Sequence, residues 1–399
     1  MIFPVEIWQI IFQYCDAVTL TRLRRVCHMW NGVIEEVLTN SDAWYRMCKK
    51  GIPKYLWSAI LEKLRPKLYH NNIEQLRMDS CMWVQMYRSW IKWRQFTKRD
   101  ASIDRINLSP ELQPMEQITC VATLENILGV GSIEGYIRFY DISSSEKKPI
   151  FIADQAECVC DLHLFTNAEC DIIAVSSSIH KKVRFWDVGS KKRLVQMYSG
   201  SLISTSCGYC YTVANNSLLA EWRIQRSCYE CDVDDFVALL ADENKVTLLT
   251  EKGYRIKVEA NHAIEIGARK FVQPPNTSVR RYYLFKPEIA VCITGIGTLG
   301  ISAGHKPWKI YNIFSLLHGV PTAILFYLEL FIIGIDSGEV HVFHVGDANY
   351  LEELDFNSID SKSLVLGDNA IIALDITYYQ NEQYLIAASE TAVHITKIC

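Results

Sequence analysis

The sequence predicts a mainly β chain, a ring of seven repeated four-stranded units preceded by a small all-α module and a helical linker. Three observations predict it. Apolar periodicity changes from helical to strand-like near residue 100, one strand pattern recurs through the second part, and seven copies fill residues 101–399 at about 43 residues each. At 399 residues the chain is also too long for one ordinary core, so a small module beside a large one fits.

From Glu6 to about Phe96 apolar residues recur at helical spacing: Ile7, Ile10, Ile11 and Tyr14, then Leu20, Leu23, Val26, Cys27, Trp30 and Val33. Asp42 is placed to cap a helix carrying Trp44, Tyr45, Met47 and Cys48, and Gly51 with Pro53 is a stop signal. Another helix is expected from about Lys54 to Arg65, ended by Pro66. One more, from about Ser80 to Phe96, puts Trp83, Tyr87 and Trp90 on one stripe. The expected boundaries are residues 1–50 for the first module, 51–100 for the linker and 101–399 for the repeats.

Within the repeats, Ile137-Arg138-Phe139-Tyr140-Asp141-Ile142 returns 46 residues later as Val183-Arg184-Phe185-Trp186-Asp187-Val188. Weaker echoes are Leu219 to Ile224, Trp308 to Ile313, Val340 to Val345 and Val393 to Ile398. A wide gap after Trp222 must hide a degenerate copy, assigned to Tyr254 to Val258. Repeats of this length match the four-stranded blades of a seven-bladed β-propeller. Tight turns such as Ser132-Ile133-Glu134-Gly135 and Asp336-Ser337-Gly338-Glu339 would join second to third strands. The last copy ends on a third-strand pattern, so Ser102 to Leu108 is expected to supply its outer strand and close the ring.

Composition bounds the function. Hydrophobic residues at 49% and charged residues at 22% are ordinary globular usage, and a net charge of −4 argues against a domain dominated by phosphate or nucleic-acid binding. The start lacks a basic region, and the longest apolar run, Ala323 to Ile335, contains Glu329 and is too short to span a membrane. A cytoplasmic or nuclear location is therefore expected. The 14 cysteines are expected to be reduced, mostly small buried apolar residues.

The second part resembles a WD-repeat propeller on Phe139-Tyr140-Asp141, Phe185-Trp186-Asp187 and the Ser-x-x-Gly turn at Ser132, although only one copy keeps the Trp-Asp pair. The first part resembles an F-box on Pro4-x-Glu6-Ile7-x-x-x-Ile11-Phe12, Leu20-x-x-Leu23-x-x-Val26-Cys27-x-x-Trp30 and Asp42-x-Trp44. Phe3 stands where leucine is usual. The helix with Trp83, Tyr87 and Trp93 is similar to the segment joining the two modules in F-box/WD-repeat proteins.

This resemblance implies a non-catalytic substrate receptor of an SCF-type cullin-RING ubiquitin ligase, needing no cofactor. Its F-box would dock on a Skp-type adaptor, and through it on cullin and RING subunits, while the propeller holds the target protein. Carried over by position, Pro4, Glu6, Ile7, Ile11, Phe12, Leu20, Leu23, Val26 and Trp30 would contact the adaptor or form the F-box core. The same stripe also reads as the inner face of a small bundle. A bundle this small with so many large apolar residues would, however, leave a patch needing a partner. The alternative function is a non-degradative scaffold assembling a protein complex.

Cys207-x-x-Cys210 and Cys228-x-x-Cys231 have the spacing of a tetrahedral zinc site, but an intervening third strand would part the pairs, so buried thiols are the competing reading. Arg88, Lys92, Arg94, Lys98 and Arg99 interleave with Trp90, Trp93 and Phe96, either a nucleic-acid surface or an amphipathic helix with a solvated basic side. His180, Lys181 and Lys182, with His305 and Lys306, are expected in second-to-third-strand loops of two blades, where they could receive an acidic or phosphorylated segment. Gly295-Ile296-Gly297-x-x-Gly300 reads as a strand and turn, since no βαβ unit surrounds it. A propeller enzyme would need acids or metal ligands clustered in the central channel.

Overall fold

A computed structural model describes the chain except residues 1–2, 41, 67–77, 99–104, 109–115, 145, 147, 168, 207–208, 215–216, 223–224, 231–234, 243–244, 252–253, 260–261, 271–277, 304–307, 347–350, 352 and 399. It divides into two compact units, Met1–Arg65 with Asn71–Trp93, and Pro66–His70 with Arg94–Cys399.

The first unit is helical: α1 Val5–Gln13, α2 Ala17–Leu23, α3 His28–Asn40, α4 Ala43–Gly51, a 3-10 turn Lys54–Leu56, α5 Trp57–Leu64 and α6 Ser80–Arg94. Its core gathers buried Phe12, Leu20, Ile34, Val37 and Trp44, with half-buried Trp8, Trp30, Trp83 and Tyr87 packed on them. Asp42 precedes α4 but makes no side-chain cap, and its carboxylate pairs instead with Arg46 one turn on, at 2.6 Å. On α6 the aromatic rings of Trp90 and Trp93 are buried, as is Phe96 just beyond it. Buried rings are not open to stack on bases, and of the interleaved basic residues Arg88 and Arg94 are exposed on the helix, Lys92 is half-buried and Lys98, beyond it, pairs with Asp360 at 3.1 Å. Arg99 lies outside the described residues.

The second unit is a mainly β propeller. Its described strands form seven four-stranded antiparallel sheets, six of consecutive strands spanning 118–154, 159–199, 202–230, 236–270, 279–311 and 321–365. The seventh joins Ile371–Tyr379, Glu382–Ser389 and Val393–Ile398 to Arg105–Leu108, which pairs antiparallel along Val393–Ile398. Without that partner the third strand would present an open edge.

Apolar side chains of each sheet pack on the next. Phe139 and Ile137 of the first meet Leu162 and Trp186 of the second, and Leu128 and Tyr140 on the other side meet Ile386 and Ile395 of the seventh. In six sheets the inner strand carries a bulge near its start, as between Val159 and Asp161 or Val279 and Arg281. A bulge increases local twist and re-aims side chains.

The fifth sheet corrects one sequence expectation. Trp308 to Ile313 is no third-strand copy: Lys309–Tyr311 is the outer strand, and Leu299–Ala303 is the third. Ser302 opposite Ala290 stands where Tyr140 stands opposite Leu128 in the first sheet. Gly300 explains the displacement, since a Cβ there would come within 2.6 Å of Cys292 and 3.2 Å of Trp308. The aromatic bulk of this blade comes from Trp308 lying over a glycine, so a search for aromatics selects the wrong strand.

Burial also orders the thiols. Cys48, Cys120 and Cys292 are buried, and burial pushes each up to about 12, whereas Cys27 and Cys81 are exposed. Because the thiolate is the reactive form, maleimide should label Cys27 and Cys81 of the native chain within minutes and spare the buried three until denaturant is added. Peptide mass mapping checks this, and early labelling of Cys120 or Cys292 would contradict the packing.

Candidate protein-interaction surfaces

Helix α1 is apolar on two faces. Trp8, Phe12 and Cys15 point into the helical core, where Trp8 stacks on Phe12 at 5.6 Å and meets Trp30 at 4.7 Å. Ile7, Ile10 and Tyr14, at i, i+3 and i+7, share another face, with Ile11 on its shoulder, while Phe3, ahead of the helix, lies edge-on to Trp8 at 5.7 Å. All five are solvent-exposed, Ile10 at 52% and Tyr14 at 87%. Val26 and Met29, between α2 and the first turn of α3, are exposed as well, Val26 at 60%. Beside the polar strip of Glu6, Gln9 and Gln13, this helix therefore carries more apolar surface than its own core covers.

The aligned residues therefore separate into two groups. Pro4, Glu6, Ile7, Ile11 and Val26 are exposed; Phe12 and Leu20 are buried, and Leu23 and Trp30 are half-buried behind them. Phe12 and Leu20 thus support the surface and cannot be part of it. The exposed Ile10, Tyr14 and Met29 complete it. The i, i+3, i+4 pattern carried the signal for Ile10 and Tyr14, but periodicity alone cannot say which of two apolar faces turns inward.

The turn at Cys15-Asp16-Ala17 holds α1 against α2. Asp16 accepts from Thr19 N at 2.9 Å and from Thr19 Oγ1 at 2.7 Å, capping α2. The Thr19 backbone N–H, then its hydroxyl, hold the Asp16 carboxyl below its usual range. Such a group stabilises above its unfolded value and loses that contribution as pH falls through its folded one. Asp16→Ala should cost about 1 kcal/mol at pH 7. The difference from the native chain should vanish as pH drops below about 4, measured as thermal stability across pH.

In the propeller, the second-to-third-strand turns and the connections between sheets emerge at one end of the ring, called here the upper face. His180 and Lys181 are exposed there, and Lys182 begins a third strand. Lys182 Nζ is bonded to Glu157 Oε1, and Ser178 Oγ donates to Glu157 Oε2 at 2.6 Å. These two bonds, Lys182 first, hold the Glu157 carboxyl below its ordinary range. His305 and Lys306 lie outside the described residues. Of the five basic residues expected together, only His180, Lys181 and Lys182 are described, and Lys182 is already bonded to the Glu157 carboxylate.

Near the ring's centre, Asp161 and His163 of the second inner strand lie 3.4 Å apart, and the Arg281 guanidinium of the fifth is 5.2 Å from the Tyr283 ring. Burial pushes the Asp161 carboxyl up, but His163 and Arg281 outweigh it and hold it low. Burial likewise opposes the Arg281 charge, and Tyr283 with Asp161 overcomes it. These groups satisfy one another, as in a structural charge network.

For the cysteine spacing, Cys210 is buried in the second strand of the third sheet and Cys228 lies on its outer strand, with Ser217–Trp222 between them. Cys207 and Cys231 fall outside the described residues. Among the described residues no three His, Cys, Asp or Glu gather to hold a metal. The intervening strand favours the buried-thiol reading for Cys210. Gly295 to Gly297 form the turn between the second and third strands of the fifth sheet, with Gly297 at φ +79°, and Gly300 lies on the third strand.

Comparison with known proteins agrees with this division. Residues 3–50 match the F-box-like family model. The chain is similar to the crystal structure of the RRP9 WD40 repeats, with 14% identity and a TM-score of 0.52 over 74% of this chain and 98% of that one. It is also similar to the computationally designed Ika8 protein, at 15% identity and a TM-score of 0.49 over 73% and 98%. No curated protein matches the sequence. At such identities the likeness concerns fold alone.

Proposed function

We infer that this chain, an F-box/WD-repeat protein by its matched helical domain and its propeller fold, is the non-catalytic substrate-binding subunit of an SCF-type ubiquitin ligase. The observation that carries this reading is the outward apolar face of α1 with Val26 and Met29, inside the matched residues 3–50. F-box domains generally bind Skp-type adaptors, and a continuous apolar stripe beside a packed core is what such docking requires. On this reading Pro4, Glu6, Ile7, Ile11 and Val26 touch the adaptor, while Phe12, Leu20, Leu23 and Trp30 hold them in place. Residues 51–100 join the two modules, and residues 101–399 form a seven-bladed ring that holds the target protein. The chain works in the cytoplasm or nucleus. Its contribution to the reaction is proximity, bringing a lysine of the target within reach of a charged conjugating enzyme.

The test is affinity purification of the tagged native chain beside a Pro4→Ala, Ile11→Asp variant, with mass spectrometry of both. Recovery of a Skp-type adaptor and a cullin by the native chain alone supports the ligase subunit. Equal partner sets lacking the adaptor would instead make the propeller a scaffold.

A further inference from the structure

We propose that the upper face of the propeller receives a basic segment of the target carrying aliphatic side chains, and that it rejects acidic or phosphorylated ones. This rests on the reading of the propeller as the target-binding module. It reverses the ligand chemistry that His180, Lys181 and Lys182 suggest in sequence.

Contacts between neighbouring loops trace one continuous arc across five sheets. The Gly297 turn, whose added Cβ would lie 2.7 Å from Val320, leads to Asp336, whose Oδ1 accepts from Val320 N at 2.9 Å. The Gly338 turn abuts Gly367, and Asn369 reaches Thr391 at 3.4 Å. Glu390 accepts from Gln117 at 3.4 Å, and Ile133 N donates to Gln117 O at 2.9 Å. Gly135 abuts Glu157, which Ser178 also holds.

Along that arc Glu134, Asp336, Asp368 and Glu390 are exposed carboxylates. Ile133, Ile179 and Ile296 are exposed at 42%, 61% and 74%, each at the tip of a second-to-third-strand turn. Among the described residues, the cations along the arc are Lys181, Lys182, already held by Glu157, and the exposed Arg280 and Arg281 near the start of the fifth inner strand, with His180 and His318 exposed beside them. Four carboxylates on a contiguous rim give a negative potential that raises the local concentration of cations and repels phosphate. Isoleucines raised on tight turns expose apolar area that gains by burial under a partner's aliphatic side chains. A segment alternating lysine or arginine with leucine or valine satisfies both.

The probes are three fluorescein-labelled 12-residue peptides: one alternating Lys and Leu, one alternating Glu and Leu, and a phosphoserine version of the second. Anisotropy is read on the full chain and on two variants. The first reverses the arc (Glu134→Lys, Asp336→Lys, Asp368→Lys, Glu390→Lys); the second reverses the opposite end (Glu146→Lys, Glu169→Lys). All six positions are exposed, so folding should survive, and thermal melting verifies it.

Expected are binding of the basic peptide alone, weakening by tenfold or more in the arc variant, and no change in the other. An Ile133→Ser, Ile179→Ser, Ile296→Ser variant should weaken binding severalfold at unchanged charge. Tighter binding of either acidic peptide, or equal loss in both charge variants, overturns the proposal. Adaptor affinity measured on the same preparations keeps the two readings apart. Lost peptide binding with intact adaptor binding sinks only this specificity, and the converse sinks only the ligase reading.

Discussion

Replacing Ile7 and Ile11 together by aspartate should lower the affinity of the full chain for a Skp-type adaptor by at least a hundredfold while leaving its melting temperature within a degree or two. Each isoleucine is 40% exposed in the isolated chain. Fully burying such a side chain is worth about 1.5–3 kcal/mol, so the remaining exposed area contributes about 1 kcal/mol at each site. A carboxylate at the same point must also be stripped of water against an apolar partner, a further cost of several kcal/mol. A hundredfold loss needs only about 2.8 kcal/mol. The mark of a docking role is the contrast with Phe12→Ala. That change empties a buried site beneath the face and should destabilise the helical unit by about 3–5 kcal/mol. Calorimetric titration beside thermal melts separates the two. Should the double aspartate variant bind as tightly as the native chain, α1 is not the docking helix.

The second large effect concerns stability. Arg138, on the third strand of the first sheet, donates to Glu116 at 2.6 Å and 3.0 Å in a bidentate pair, with side chains only 8% and 0% exposed. Glu116→Ala should cost about 3–5 kcal/mol, because it leaves a guanidinium desolvated without its counter-ion. Glu116→Ala with Arg138→Met should recover much of that loss, since removing both charges also removes the desolvation cost. Urea unfolding of the full-length chain measures both. A single-variant cost below about 1 kcal/mol would mean that water reaches the guanidinium and that the pair is not sealed.

What could be read from sequence follows from where each signal lives. The helical entry and the repeat write themselves as local periodicity, because burial on one face of a helix or strand forces it. The fifth blade escaped because its aromatic side chain comes from outside the third strand and lies over Gly300, a contact that no linear pattern records. The surfaces were half legible. Ile7 and Ile11 stood out as apolar at helical spacing, yet Phe12 and Leu20 share that spacing and only packing against Trp8 and Trp30 assigns them inward. Charge was the hardest to read, since Glu157 lies 25 residues before Lys182 and meets it only when the inner, second and third strands of one sheet are side by side.

The seventh sheet has a consequence for how the protein is made. Arg105–Leu108 leaves the ribosome nearly three hundred residues before its partner strand Val393–Ile398, so the ring cannot shut until synthesis is almost complete. Joining segments so far apart in sequence is also slow, since the intervening chain must first be brought together. The helical unit is under no such delay, as nearly all its contacts lie within the first 93 residues. A nascent chain therefore exposes the apolar face of α1 well before it owns a finished propeller. An adaptor binding during translation would shield that face while the longest-range pairing in the molecule is still waiting for its second half.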